Sequence, residues 1–233
     1  MPGRVIGQVR CEVFVAANRA CEKAQECVTS SICTLTIRVL KSSFVISQMP
    51  HPNTLEVKQS ALLIIDMQEA FRASIADFNQ TAARTVLAVK GSALLRVPVL
   101  VTEQYPKGLG HTAAEIKAVL PEDTEIIEKS TFSSCGSQTF QGQLERTQVK
   151  QVLVAGLETH ICVNQTVHDL LANGFQVHLL TDCITSRKRD DKKVALEKMQ
   201  LSGAIPSSLE LALFELMRDS KHEQFKAIQG LIK

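Results

Sequence analysis

Tryptophan is absent from this chain, and tyrosine occurs once, as Tyr105. The flat side chains on which bases or sugars stack are therefore scarce, which disfavours a single-strand nucleic-acid platform. Long apolar runs are lacking as well: none approaches the roughly 20 residues that cross a bilayer, so no membrane contact is expected. A dominant charge is also missing. Lys and Arg number 26 against 24 acidic residues, a formal net charge of +2 that supplies no general attraction to nucleic acid or anionic lipid. The seven cysteines (11, 21, 27, 33, 135, 162 and 183) include no C-x-x-C pair, and none has a histidine at ligand spacing. That pattern is neither a disulfide scaffold nor a zinc module, and it points to a reducing compartment, the cytoplasm.

The charge is unevenly spread. Residues 1–48 hold six Lys and Arg against three Glu, and the remainder holds 20 against 21. This first stretch reads either as an N-terminal extension upstream of Met49 or as a targeting presequence that would direct the chain to mitochondria. The three glutamates count against the second reading, because transit peptides avoid acids. Residues 49–233 then form a single domain, with no repeat and no linker inside it.

From Ser60 onward, short apolar runs alternate with helical spacing. Strands are expected at Ala61–Ile65, Val99–Thr102, Thr124–Ile127, Gln151–Ala155, Gln176–Leu180 and Ala204–Ile205. Helices are expected from Asp77 or Asn79 to Arg96, near Thr112–Val119, and over Gln138–Arg146, Cys162–Asn173, Asp190–Ser202, Leu209–Met217 and Glu223–Leu231. Glu103–His111 and Ser130–Ser137 read as loops. Such alternation implies an α/β, Rossmann-like three-layer sandwich: a six-stranded parallel sheet with helices on both faces.

In such sheets, ligands bind beyond the carboxyl ends of the strands, where strand order reverses. Three reactive side chains occupy strand ends: Asp66, Lys129 and Cys162. A thiol in the first turn of a helix feels unpaired N–H groups and the positive end of the dipole, which favour thiolate and could hold an oxyanion. Asp66 could take the thiol proton and later deliver it to a leaving amine, with Lys129 as the electrostatic partner. Taken singly, each has a structural explanation: a turn-capping Asp, a solvated Lys, a small core Cys. Their placement at three strand ends, converging if strand 4 lies beside strand 1, carries the functional reading.

Three segments carry a more specific signal: A-L-L-I-I-D-M-Q-E-A-F at 61–71, E-K-S-T-F-S at 128–133 and V-A-G-L-E-T-H-I-C-V at 154–163. They resemble the isochorismatase-like hydrolases, which include nicotinamidases and N-carbamoylsarcosine amidohydrolase. T-E-Q-Y-P-K-G-L-G at 102–110 is similar to the eukaryotic isochorismatase domain-containing proteins and their bacterial relatives. The resemblance implies Asp66 as general base, Lys129 as cationic partner and Cys162 as nucleophile. It also implies a cis peptide between Leu157 and Glu158, an oxyanion hole from the N–H groups of Glu158 and Cys162, and a homo-oligomer.

The chain departs from the family pattern in three places. Nicotinamidases carry a D-x-H…H metal set after strand 2, where this chain has Glu103, Gln104, Tyr105 and Pro106, so neither metal nor cofactor is expected. Isochorismatase itself lacks the cysteine. Glu158 stands where the amidases have a small residue. Phe71, Tyr105 and Phe132 follow strand ends and either wall a small flat substrate pocket or anchor loops in the core. His160 is an alternative base. Cys135 and Cys183 read as packing residues, with Cys135 near enough to Lys129 to reach a pocket rim. The basic run Arg187, Lys188, Arg189, Lys192 and Lys193 reads as a solvated helix face.

The expected function is a metal-independent cysteine hydrolase for amide-like or related C–N bonds of a small molecule. A scaffold protein that keeps the fold and, less favoured, a nucleic-acid-processing enzyme are the competing readings.

Overall fold

The computed structural model describes residues 51–233. The expectations for residues 1–48 and for a boundary at Met49 lie outside the described residues. Six strands, β1 (Ser60–Ile65), β2 (Val99–Gln104), β3 (Ile126–Lys129), β4 (Gln151–Gly156), β5 (Gln176–Ile184) and β6 (Ile205–Ser207), form one parallel sheet in the order β3-β2-β1-β4-β5-β6. Every residue of β1 and of β4 is buried, as expected of central strands covered on both faces.

Alternation along β1 divides the core in two. Leu62 and Ile64 face the layer of α1 (Phe78–Leu95), α7 (Leu209–Met217) and α8 (Phe225–Ile232). Ala61, Leu63 and Ile65 face that of α4 (Gln138–Thr147), α5 (Asn164–Ala172) and α6 (Arg189–Leu201). These are the three layers of the sandwich. Two four-residue helices, α2 (Pro106–Leu109) and α3 (Ala114–Lys117), fill the connection from β2 to β3. Among the described residues no helix is long and apolar enough to cross a membrane.

Several boundaries differ from expectation. The third strand lies two residues further on than its β-branched run suggested, so Lys129 is its last residue rather than the one after it. The segment expected to be a plain loop contains α2, which Pro106 opens at its first position. The fifth strand continues to Ile184, past the polar Thr181 and Asp182. Parallel pairing supplies the reason in the third and fifth strands: Gln104 registers with Lys129, and Gly156 with Ile184.

Candidate active site

Strand order reverses between β1 and β4, which pair in parallel, so their carboxyl ends lie side by side at the place where such sheets form a ligand crevice. Asp66, just past β1, has a φ of 52°, a left-handed conformation that Asp tolerates better than most residues. Its N–H donates to the Thr102 carbonyl at 3.0 Å, tying the turn to β2. The carboxylate is buried. Lys129 Nζ donates to Oδ2 at 2.7 Å, and Thr102 Oγ1 donates to Oδ1 at 2.9 Å. The Cys162 thiol lies close enough to this carboxylate for each to perturb the other's ionisation. The structure thus brings together the three strand-end residues picked out in the sequence.

Lys129 Nζ also faces Gln104 Oε1 at 2.8 Å and the carbonyls of Phe132 and Thr131 at 3.0 and 3.2 Å. A buried ammonium surrounded only by acceptors is fixed in place. Gln104 is braced in turn by buried Gln68, whose side chain accepts from the Gln104 N–H at 2.8 Å and donates to its carbonyl at 3.0 Å. Sequence reasoning missed Gln68 and Thr102, and noticed Gln104 only as a replacement in the metal set. The available signal was polar residues at the C-terminal end of an otherwise apolar strand.

Cys162 lies in a single π-helical turn, Thr159–Val163, rather than in the first turn of an α-helix, and α5 begins at Asn164. Such wide turns recur at functional sites because they change the direction in which a side chain emerges. Gly156 makes the approach feasible: its φ is 127°, and a Cβ there would stand 2.1 Å from the Ile65 carbonyl oxygen. Nothing among the described residues accepts the N–H of Glu158.

The helix-start influence that favours thiolate is outweighed. Burial, and then the charge of Asp66, push the Cys162 thiol up to about 12 against the pull of Lys129. Burial likewise raises the Asp66 carboxyl, although the charge of Lys129, the hydrogen bonds from Lys129 and Thr102, and the nearby Cys162 thiol pull it down. Burial and the neighbouring carboxylate decide the balance, although the turn that holds the thiol leads directly into α5. At rest the thiol keeps its proton beside Asp66.

His160 is turned elsewhere, with Nδ1 3.1 Å from Ser186 Oγ and Nε2 3.8 Å from Asp191. Phe71 is half-buried against the core, whereas Tyr105 and Phe132 are more than half exposed. Cys183 is fully buried. Cys135 lines a separate 420 Å³ groove between α4 and α5, with Phe140, Leu144, Asp169 and Phe175. The basic run is largely solvated: Arg187, Lys188, Arg189 and Lys193 are exposed, although Arg187 pairs with Glu158 and Lys192 Nζ donates to the Ile184 carbonyl at 2.6 Å.

The place where nicotinamidases bind metal does not fit one here. Glu103 accepts from the Thr112 N–H at 2.6 Å and from its hydroxyl at 2.7 Å, and lies 3.0 Å from His111 Nδ1. Gln104 is committed to Lys129. Among the described residues no group of three or more His, Cys, Asp or Glu is placed to hold a metal ion.

Fold and crevice together define an isochorismatase-like α/β hydrolase fold. The chain belongs to the isochorismatase domain family, whose model matches residues 60–210. Isochorismatase family protein 1A of Dictyostelium discoideum is 38% identical over 77% of this chain and 86% of its own length. Isochorismatase domain-containing protein 2 of Homo sapiens is 42% identical, over 75% of this chain and 83% of its own. Among solved structures, the MAR1 ribonuclease of Caenorhabditis elegans superposes with a TM-score of 0.74 at 37% identity, covering 77% of this chain and 92% of that one.

Proposed function

We propose that this chain is a metal-independent, cofactor-independent cysteine hydrolase that cleaves an amide-like or related C–N bond of a small molecule. The observation that carries the reading is the buried Asp66 carboxylate, held by the Lys129 ammonium at 2.7 Å, with the Cys162 thiol in its electrostatic reach. As Cys162 Sγ bonds to the substrate carbonyl carbon, its proton passes to Asp66 and the carbonyl oxygen becomes an oxyanion. The N–H groups of Glu158 and Cys162 receive that oxyanion. On collapse, the C–N bond breaks and Asp66 returns the proton to the departing nitrogen, leaving a thioester. Water then adds to the thioester carbonyl while Asp66 takes one of its protons. The acid leaves, and the thiol is re-protonated. The Lys129 ammonium favours the ionised form of Asp66 between steps. Tyr105 and Phe132, exposed beyond the strand ends, contact the substrate, with Phe71 beneath them.

Acetylation by p-nitrophenyl acetate tests the reading without knowledge of the natural substrate. The expected result is a burst of nitrophenolate with the acetyl group on Cys162 by peptide mass spectrometry. Cys162→Ser or Asp66→Ala should lower turnover by about 10⁴. Acetylation elsewhere, or turnover that survives Cys162→Ser, would sink the nucleophile assignment.

RNA cleavage is the competing reading, motivated by the name of the worm relative. Asp190 and Asp191 interrupt the basic run and Arg187 is paired with Glu158, so the face is not uniformly positive. Cleavage of RNA that persists in Cys162→Ser and falls steeply with salt would favour it. A scaffold role would be favoured if no acyl transfer is found. The same proposal includes assembly into a homo-oligomer and a reducing location: the cytoplasm, or mitochondria if residues 1–48 act as a presequence.

A further inference from the structure

We propose that Arg187 is a positioning residue that acts through Glu158 to set the reactivity of Cys162. This rests on the nucleophile reading above and extends it to a side chain outside the crevice. Glu158 is buried, with 4% of its surface exposed, and it supplies the unpartnered N–H beside the π turn. Its Oε1 accepts from the Arg187 backbone N–H at 3.1 Å and from Arg187 Nε at 2.8 Å. Both bonds come from one residue, so the carboxylate is fixed in direction as well as neutralised.

The segment around Arg187 runs as a rail beside the turn. Thr159 N–H donates to the Thr185 carbonyl at 3.0 Å, Thr185 N–H donates to the Gly156 carbonyl at 3.3 Å, and Ser186 Oγ meets His160. The charged groups that bear on Cys162 are Asp66, Glu158 and Lys129. Asp66 is answered by Lys129, and Glu158 by Arg187, which also feels Asp191. Without Arg187, a second buried carboxylate stands uncompensated beside the thiol and further opposes thiolate in the transition state. A small residue at position 158 would need no such partner. The chain carries Glu158 and Arg187 as a matched pair.

The test is the rate of Cys162 acetylation by p-nitrophenyl acetate against pH, in the full chain. Arg187→Ala should slow acetylation by about tenfold, the equivalent of one pKa unit, and move the rising limb to higher pH. Arg187→Lys keeps the charge and should recover part of the rate. In Glu158→Gln/Arg187→Ala the buried charge is gone, so the rate should return to within about twofold of Glu158→Gln alone. An Arg187→Ala rate equal to wild type overturns the proposal. So does a double variant as slow relative to Glu158→Gln as Arg187→Ala is to wild type, since that marks a loss of packing rather than of charge balance. If wild-type Cys162 is not acetylated at all, the nucleophile reading falls and this inference falls with it. If Cys162 is acetylated but indifferent to Arg187, the inference alone falls.

Discussion

With Asp66 ionised, a thiolate at Cys162 would set two negative charges side by side in a buried crevice, with Lys129 as the balancing cation. In the proposed mechanism deprotonation is deferred until substrate arrives, when the proton moves to Asp66 as the carbonyl carbon takes up sulfur. Asp66→Asn separates the two roles. It removes the opposing charge, so alkylation of Cys162 by iodoacetamide at fixed pH should rise by about tenfold or more, since iodide leaves without a proton. Turnover of p-nitrophenyl acetate by the same variant should fall, because its base is gone. An alkylation rate that falls alongside turnover would contradict this charge arrangement. Gly156→Ala is expected to cost on the order of 3 kcal/mol or to prevent folding, because its Cβ meets the Ile65 carbonyl at 2.1 Å and its φ is 127°. Denaturant unfolding would measure that loss. The turn residues around Cys162 were legible as a glycine break, but the π geometry was not, since one extra residue in a helical turn leaves no mark on apolar spacing.

At the scale of elements, the end of β2 and the 104–112 connection hold Lys129 from behind. Glu103 is buried, and burial opposes its ionisation. The hydrogen bonds from Thr112 and His111 outweigh that and hold its carboxyl below the usual 4.5. A lowered folded value means that the contribution to stability is present above pH 4.5 and is lost as pH falls through the folded value. The stability gap between wild type and Glu103→Gln, from urea melts, should therefore be widest above pH 4.5 and narrow below it. A gap unchanged by acid would refute the ionised-acceptor role. Lys129→Ala leaves Asp66 buried without its cation and should cost about 3–5 kcal/mol, seen in the same melts. The sequence named Lys129 as a strand-end residue. It could not show that Gln104 and Gln68 secure it, because that depends on the register of β2 against β3 and on a contact across the β1 turn.

Over the whole molecule, two helical layers and a fully covered sheet place a histidine in the interior. His178 of β5 is buried, and burial alone lowers it to about 4 from 6.5. The unfolded chain then binds a proton that the folded chain refuses between those values, so stability should fall as pH drops from 6.5 toward about 4. His178→Gln should flatten that part of the curve of melting temperature against pH. An equally steep curve would place the acid sensitivity elsewhere. For the proposed homo-oligomer, Leu211 and Phe214 on α7 remain exposed, at 46% and 39%. Light scattering should give a mass that is a multiple of 25.6 kDa.

Periodicity in the sequence was enough to determine the α/β class and the six strands, though not where the third and fifth end, because burial on both faces of a parallel sheet dictates apolar runs locally. It was also enough to select Asp66, Lys129 and Cys162 as a group. Only the tertiary structure decided that β1 lies beside β4, that the thiol keeps its proton at rest, and that Glu158 is answered by Arg187. Each of these depends on the electrostatic and steric environment created by groups distant in the chain, and local sequence carries no record of that environment.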